Sequence, residues 1–406
     1  MKYSILIFSI ILFACSRSRS AACDAYGNPA LDKRESSASP TEVSDTITQI
    51  SEVRISSVSL EKKKIQSKNK GEEILVNSED KDYQELQIKH SVGHLNELNQ
   101  TVSYQKTQRT PLAQAQTQIE QELVLLGQLS PNSFEFHLNQ YVAGKHNLNL
   151  ISSLEKAAKM DPQHPEVVKQ WAAYGIIVEN EHLASKYLGD WFSLQADSQF
   201  IMNYAMNMMN SVDENGVLIV HAIEDTYSAF YLQILKGIRR DVKILSLELL
   251  QSEAYRNKLS AQGWNMPTDR IIGPDFLERF CDLNSNRNIS LSLTIPREYF
   301  NELTPSLFLV GLTFVHSKAS SFQNFYRNEL IWNEKWDKDF LWQLINNTSV
   351  QREKLANYLP VLLQLHSVYV QEGNVSEQIE LDPWINRIAK SAGKSEAIEK
   401  IMLDKE

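Results

Sequence analysis

The sequence is poor in cysteine, in basic charge and in long apolar runs. Only three cysteines occur among 406 residues, so a packed core rather than a disulfide framework must stabilise the fold. Lys and Arg total 41 against 50 Asp and Glu, a net charge of −9. This balance argues against nucleic-acid binding, which needs a basic stripe or patch. No stretch reaches 18 apolar residues, so no segment is expected to span a bilayer.

Familiar catalytic patterns are also missing. The sequence has no G-x-S-x-G, H-E-x-x-H, P-loop, G-x-G-x-x-G or C-x-x-C pattern. Cys281 lies between Phe280 and Asp282 without an obvious partner, and we expect a buried thiol. We therefore expect neither a cofactor nor a metal site, and the pattern favours a non-catalytic role.

The N-terminus has the features of a secretory signal. Residues 5–13 form an apolar run that is too short to span a bilayer and suits the central part of a signal peptide. The tetrapeptide Leu12-Phe13-Ala14-Cys15 resembles the bacterial lipobox. That resemblance implies a signal peptide at 1–14, lipid acylation of Cys15 and anchoring to a membrane. Ser16 at the next position resembles the sorting signal for the outer membrane, facing the periplasm. An ordinary cleaved signal peptide is the alternative.

Residues 15–115 are poor in aromatics and rich in Ser, Thr, Gln, Lys and Glu. Such a segment buries too little apolar surface to offset the entropy lost on ordering. We predict a disordered tether here.

Residues 116–200 show helical periodicity that resembles two degenerate tetratricopeptide-like repeats. The positions that match the 34-residue pattern are Phe134, Tyr141, Leu154, Ala157 and Pro162, and then Trp171, Ala184 and Leu188. These repeats would provide a surface for envelope proteins. Ordinary helical hairpins are the alternative.

A strand–helix–strand pattern lies near the middle of the chain. An apolar run at 217–220 precedes a polar turn, a helical pattern follows from Tyr227 to Ile234, and 242–250 is a second apolar run. This spacing is typical of parallel strands buried on both faces. Further strands are expected at 269–272, 289–294 and 307–316. The predicted fold class for residues 201–325 is therefore α/β, with a mostly parallel sheet built from βαβ units. Residues 326–406 are predicted to form a C-terminal helical region.

Candidate site residues surround the turn after the first strand. Open α/β folds bind ligands at the carboxyl ends of their strands, where Glu224, Asp225 and Thr226 are expected, with His221 nearby. The alternative is helix capping, in which Asp or Thr accepts backbone N–H bonds and acidic groups complement the helix dipole. Arg239 belongs to a charged turn before the second strand. It is either a ligand contact or part of a solvated charge cluster.

Residues 200–395 resemble the soluble C-terminal region of multi-spanning membrane proteins related to protein O-mannosyltransferases. The matching residues are Asp225-Thr226, Tyr231-Leu232-Gln233, Gly237, Arg239 and Asp241-Val242. The acidic turn of that family is only half retained, because His221-Ala222-Ile223-Glu224 replaces its Asn/Asp-rich residues. No stretch of this sequence is expected to form the membrane-embedded part that would carry sugar transfer. The resemblance therefore implies a fold, and not transferase activity.

Together, these patterns predict a tethered periplasmic lipoprotein that acts as a scaffold or protein-interaction component of an envelope complex. The alternative is a carbohydrate- or nucleotide-sugar-binding domain, or a degenerate glycosyltransferase-associated protein, that uses the turn at Glu224–Thr226.

Overall fold

The computed structural model describes residues 73–103, 110, 113–317, 323–346 and 352–403. By internal contacts, described residues from Ser91 onward form one compact unit, and residues 73–90 belong to another. Within these ranges no helix is both long and apolar enough to cross a membrane.

Most of the described chain is helical. The α-helices are α1 (Glu73–Ser103), α2 (Ala113–Leu129), α3 (Phe134–Ala143), α4 (Ile151–Met160), α5 (Pro165–Ile177), α6 (Glu181–Ser193), α7 (Ser198–Asn210), α8 (Ile223–Ile234), α9 (Glu253–Ala261), α10 (Pro274–Leu283), α11 (Gln323–Leu330), α12 (Lys338–Asn346), α13 (Arg352–Ala356), α14 (Leu359–Glu372), α15 (Val375–Ser391) and α16 (Ser395–Leu403). Short 3-10 turns occur at Leu148–Leu150, Leu249–Gln251, Arg297–Phe300 and Thr304–Ser306, and a π-helical turn at Ile331–Lys335.

The region 116–200 folds as successive helical hairpins, an arrangement compatible with tetratricopeptide-like repeats. Tyr141, Leu154 and Ala157 are buried in one small core. Gly175 of α5 faces α6 so closely that a Cβ there would lie 2.7 Å from the backbone nitrogen of Ala184. Small residues at these positions therefore let the two helix backbones approach each other.

The sheet is small and mixed. Its strands are β1 (Val217–Val220), β2 (Lys243–Ser246), β3 (Ile289–Ser292), β4 (Leu307–Val310) and β5 (Thr313–His316). They are ordered β2-β1-β3-β5-β4. β1 pairs in parallel with β2 and β3, whereas β5 is antiparallel to both β3 and β4. The prediction of a mostly parallel sheet is therefore wrong.

A single glycine accounts for one of the two antiparallel pairs, that of β4 with β5. The apolar run 307–316 was expected to be one strand, but it folds back at Gly311-Leu312 so that Val310 pairs with Thr313. Gly311 has φ +54°, and a Cβ there would lie 2.1 Å from the Ser211 hydroxyl oxygen. The two-residue loop with a leading glycine is typical of a type II′ hairpin turn.

Two further expectations differ from the structure. Residues 269–272 contain no strand and lead by bends into α10. The predicted tether is helical over residues 73–103, where Ser91 and Leu95 are buried. Its earlier part, residues 15–72, and the signal peptide with Cys15 lie outside the described residues.

The described residues after 326 are mostly helical, and they share their core with the α/β region. α14 begins at Leu359 with Pro360 in its first turn and ends before Gly373, which has φ +69°. One continuous cluster of buried apolar side chains extends from Val168 to Ile398. The predicted boundary at 325/326 therefore divides one packed body.

Candidate functional site

The predicted turn lies at the topological switch point of the sheet, where the chain stops adding strands on one side of β1 and continues on the other. β1 lies between β2 and β3, and the chain reaches β2 on one side before it reaches β3 on the other. The carboxyl ends of β1 and β3 therefore border the crevice in which open α/β folds usually bind ligands. Glu224 and Asp225 occupy the first turn of α8, directly above this crevice.

In this chain the crevice is filled by a side chain from the C-terminal region. Lys354 Nζ donates to Asp225 Oδ1 at 2.8 Å and lies 3.1 Å from Glu224 Oε2. The side chains of Lys354 and Asp225 are only 12% and 2% exposed. The Lys354 ammonium also lies over the Tyr204 ring, 5.2 Å from its centroid. The turn is therefore closed by an internal cation.

The second carboxylate oxygen of Asp225 joins the turn to β3. Thr294 donates its hydroxyl proton to Asp225 Oδ2. Since that proton is committed, the 2.7 Å contact between Ser292 and Thr294 has Ser292 as donor. Asp225 thus connects the start of α8, the end of β3 and α13.

The electrostatics keep Lys354 charged at neutral pH. Burial by itself would lower the pKa of Lys354, but the charges of Asp225 and Glu224 outweigh it and raise the pKa above its ordinary value. Removing the cation from this arrangement would leave a buried carboxylate without compensation, which is strongly destabilising.

Helix capping by hydrogen bonds does not explain Asp225 and Thr226. The N-cap residue of α8 is Ala222, and no side chain caps the helix. The Thr226 hydroxyl donates to the Ala222 carbonyl oxygen and accepts a 2.8 Å hydrogen bond from Ser246 at the end of β2. Only the electrostatic part of the capping hypothesis fits, because Glu224 and Asp225 lie in the first turn of α8.

His221 and Arg239 have separate positions. His221 follows β1 and packs edge-on against Tyr299, with ring centroids 6.2 Å apart. Arg239 precedes β2, so it lies at the opposite edge of the parallel strands from Asp225. Its guanidinium pairs with Asp241 at 2.9 Å and donates to the carbonyl oxygens of Met209 in the last turn of α7 and of Val212 and Asp213 just after it. Arg239 therefore fastens α7 to the turn before β2, and the structure does not bring it together with the other candidates.

Sequence reasoning missed the two residues that complete this site. Thr294 and Lys354 follow Asp225 by 69 and 129 residues. The single local signal at Lys354 is its place beside Leu355, the first of a helical series of buried apolar residues.

An open cavity borders the turn at Glu224. A cavity of about 400 Å³ is lined there by Glu224, Ile223, Lys169 and Trp191, among others. Within the described ranges no three His, Cys, Asp or Glu side chains are grouped so that they could hold a metal ion.

A comparison with known families gives a match within the α/β region. The family model described as TMEM260-associated domain 2 matches residues 201–269. These residues cover α7 to α9 with β1 and β2, and so contain Asp225 and Arg239 but neither Thr294 nor Lys354. The match links this stretch loosely to the membrane-protein-related family that it resembles. Neither the curated proteins nor the solved structures gave a match.

Proposed function

We propose that this protein is a non-catalytic scaffold or protein-interaction component of a bacterial envelope complex. The observation that carries the proposal is the closed turn after β1. In ligand-binding α/β folds this position is open, whereas here Lys354 occupies it and is neutralised by Asp225 and Glu224. The alternative, a carbohydrate or nucleotide-sugar site at Glu224–Thr226, would require a ligand to displace a buried ion pair.

Exposed apolar residues on the C-terminal helices support a binding role. Val375 and Ile379, one helical turn apart on α15, are 59% and 67% exposed. Tyr326 and Leu330 have the same spacing on α11 and are also exposed. Exposed apolar residues at helical spacing are suited to packing against a partner helix.

Co-purification tests this proposal. The full chain, expressed at its normal level, is recovered from detergent-solubilised envelope beside a variant with Val375→Asp and Ile379→Asp. We expect defined envelope proteins with the parent chain and their loss with the variant. The control is Met160→Asp, which changes a half-exposed apolar residue on α4 and should recover the same proteins. Recovery of the bait alone, or identical partners from parent and double variant, would contradict the proposal.

The proposed anchor is tested separately. We infer from the lipobox-like sequence that acylation of Cys15 holds the protein on the periplasmic face of the outer membrane. Cells grown with an alkyne-labelled fatty acid should label the parent chain, whereas Cys15→Ser should abolish label and release the protein from sedimented membranes. Equal labelling of both would refute acylation at Cys15.

A further inference from the structure

A second, larger cavity lies between the helical hairpins and the sheet. Its volume is about 630 Å³, and it is bordered by α1, α2, α3 and α5 on one side. Ile223 at the start of α8 and Glu248 after β2 border it on the other. Its size falls within the range of small-molecule sites, roughly 300–1,000 Å³.

Three side chains that line this cavity each carry a buried polar atom without a hydrogen-bond partner in the described part of the chain. Gln116 Oε1, His146 Nδ1 and Gln170 Oε1 are buried, and none has a hydrogen-bond partner among the described residues. Gln170 and His146 are only 5% and 7% exposed. Buried polar atoms are almost always hydrogen-bonded, so three orphans around one cavity point to a ligand that supplies their partners.

The orphaned groups are held in place by the surrounding structure. The Gln170 amide donates to Glu166 Oε1 at 2.7 Å, which fixes the amide orientation and leaves its oxygen unpaired. Lys145 and His146 have φ values of 51° and 58°, a backbone conformation that is unfavourable for side chains of this size. The His146 carbonyl oxygen accepts a hydrogen bond from Ser252, which anchors this strained pair to the sheet region.

The charges around the cavity select against anionic ligands. Lys169 is already paired with Glu166 at 2.9 Å. The other carboxylates of the lining belong to Glu135 and Glu248, and the other ammonium group belongs to Lys145. Three carboxylates and two ammonium groups leave a local charge of about −1 with His146 neutral. Phosphates and nucleotides would be repelled, whereas hydroxyl groups could donate to the carboxylate and amide oxygens.

We propose that this cavity binds a neutral, polyhydroxylated molecule of mono- or disaccharide size. Hydroxyl groups donate to Gln116 Oε1 and Gln170 Oε1, and one further hydroxyl pairs with His146 Nδ1. Asn96 and Asn139 add amide groups to the lining. Phe134 and His164, whose ring centroids are 4.8 Å apart, offer an apolar surface for the C–H face of a sugar ring.

The test measures binding of defined sugars to the full chain by saturation-transfer NMR and calorimetry. The probes are glucose, mannose, N-acetylglucosamine, maltose and trehalose, with UDP and inorganic phosphate as anionic probes. We expect at least one sugar and neither anion to bind. Gln170→Met should weaken sugar binding roughly tenfold, the equivalent of 1.4 kcal/mol for one lost buried hydrogen bond.

Two variants keep the result interpretable. Gln262→Met removes an exposed amide that bonds to Glu179 and Lys243 far from the cavity, and should bind like the parent chain. If Gln170→Met does not fold, Gln116→Met removes the orphaned oxygen of another lining side chain and should weaken binding in the same way. No sugar bound by the parent chain, parent-like binding by the folded variant, or binding of the anions alone would overturn the proposal. None of these results bears on the α15 surface, so the scaffold proposal is tested independently.

Discussion

The buried ion pair at the turn gives the sharpest prediction. Lys354→Met removes the cation but leaves Asp225 as a carboxylate that is only 2% exposed. A unit charge pair about 4 Å apart is worth about 4 kcal/mol at an effective dielectric constant of 20. The cost of desolvating the lysine offsets part of that gain. We therefore expect a loss of about 3–5 kcal/mol in the free energy of unfolding, the range for breaking a buried pair from one side.

The pair can be dissected with a double-mutant cycle. Asp225→Asn should cost less than Lys354→Met, because Glu224 remains 3.1 Å from the ammonium. The double variant should cost less than the sum of the single variants, with a coupling of about 2 kcal/mol. This result would separate an ion pair from a helix cap, whose loss typically costs about 1 kcal/mol.

The assay is urea denaturation at pH 7, followed by tryptophan fluorescence. The control is Lys338→Met, because Lys338 pairs with Glu380 at 3.6 Å where the carboxylate is largely exposed. That change should cost no more than about 1 kcal/mol. Because the pKa of Lys354 is raised, its contribution is complete below pH 10 and is lost only at higher pH. A loss of under about 1 kcal/mol for Lys354→Met would refute a buried pair.

Three further predictions concern single residues. Burial, reinforced by the charge of Lys169, lowers the pKa of His146 to about 4. The free energy of unfolding should therefore fall by about 3 kcal/mol as the pH drops from 6.5 to 4. In His146→Gln the free energy of unfolding should fall less steeply with pH, and the same slope as in the parent chain would contradict this. Gly311→Ala places a methyl group against Ser211 at a positive φ, and thermal denaturation should reveal a loss of about 2 kcal/mol or more that Ser211→Gly recovers only in part. Burial raises the pKa of the Cys281 thiol, so in a chain with the other cysteines replaced by serine, Ellman's reagent should react only after unfolding.

Local patterns predicted the parts of the fold that local forces decide. The strands at 217–220 and 289–292, the helix after the polar turn and the C-terminal hairpin follow from apolar periodicity and from breakers such as Gly373. The hairpin at Gly311 was missed because one glycine within an apolar run is a weak signal. The turn at Gly311 is fixed by distant residues, because the backbone N–H groups of Leu312 and Gly311 donate to Ser211 and Asn328.

The candidate site was predictable only in part, for the same physical reason. Asp225 and Glu224 are visible as acidic residues after a strand, but their partner is a lone lysine within a polar stretch of sequence. The cavity residues were missed as well. Gln170 lies among the apolar residues of α5 and so gives one local signal, whereas nothing in the sequence around His146 indicates that its ring is buried.

The link between Asp225 and Lys354 also bears on how the chain is made. The two residues are 129 positions apart, so synthesis on the ribosome exposes the carboxylate well before the ammonium that neutralises it. Until then Asp225 lacks its cation, and its carboxylate is stable at the strand ends only while water hydrates it. A chain that ends at the predicted boundary near residue 325 would lack Lys354 and would leave Asp225 without its cation. A chain that continues through α13 contains the lysine that pairs with Asp225.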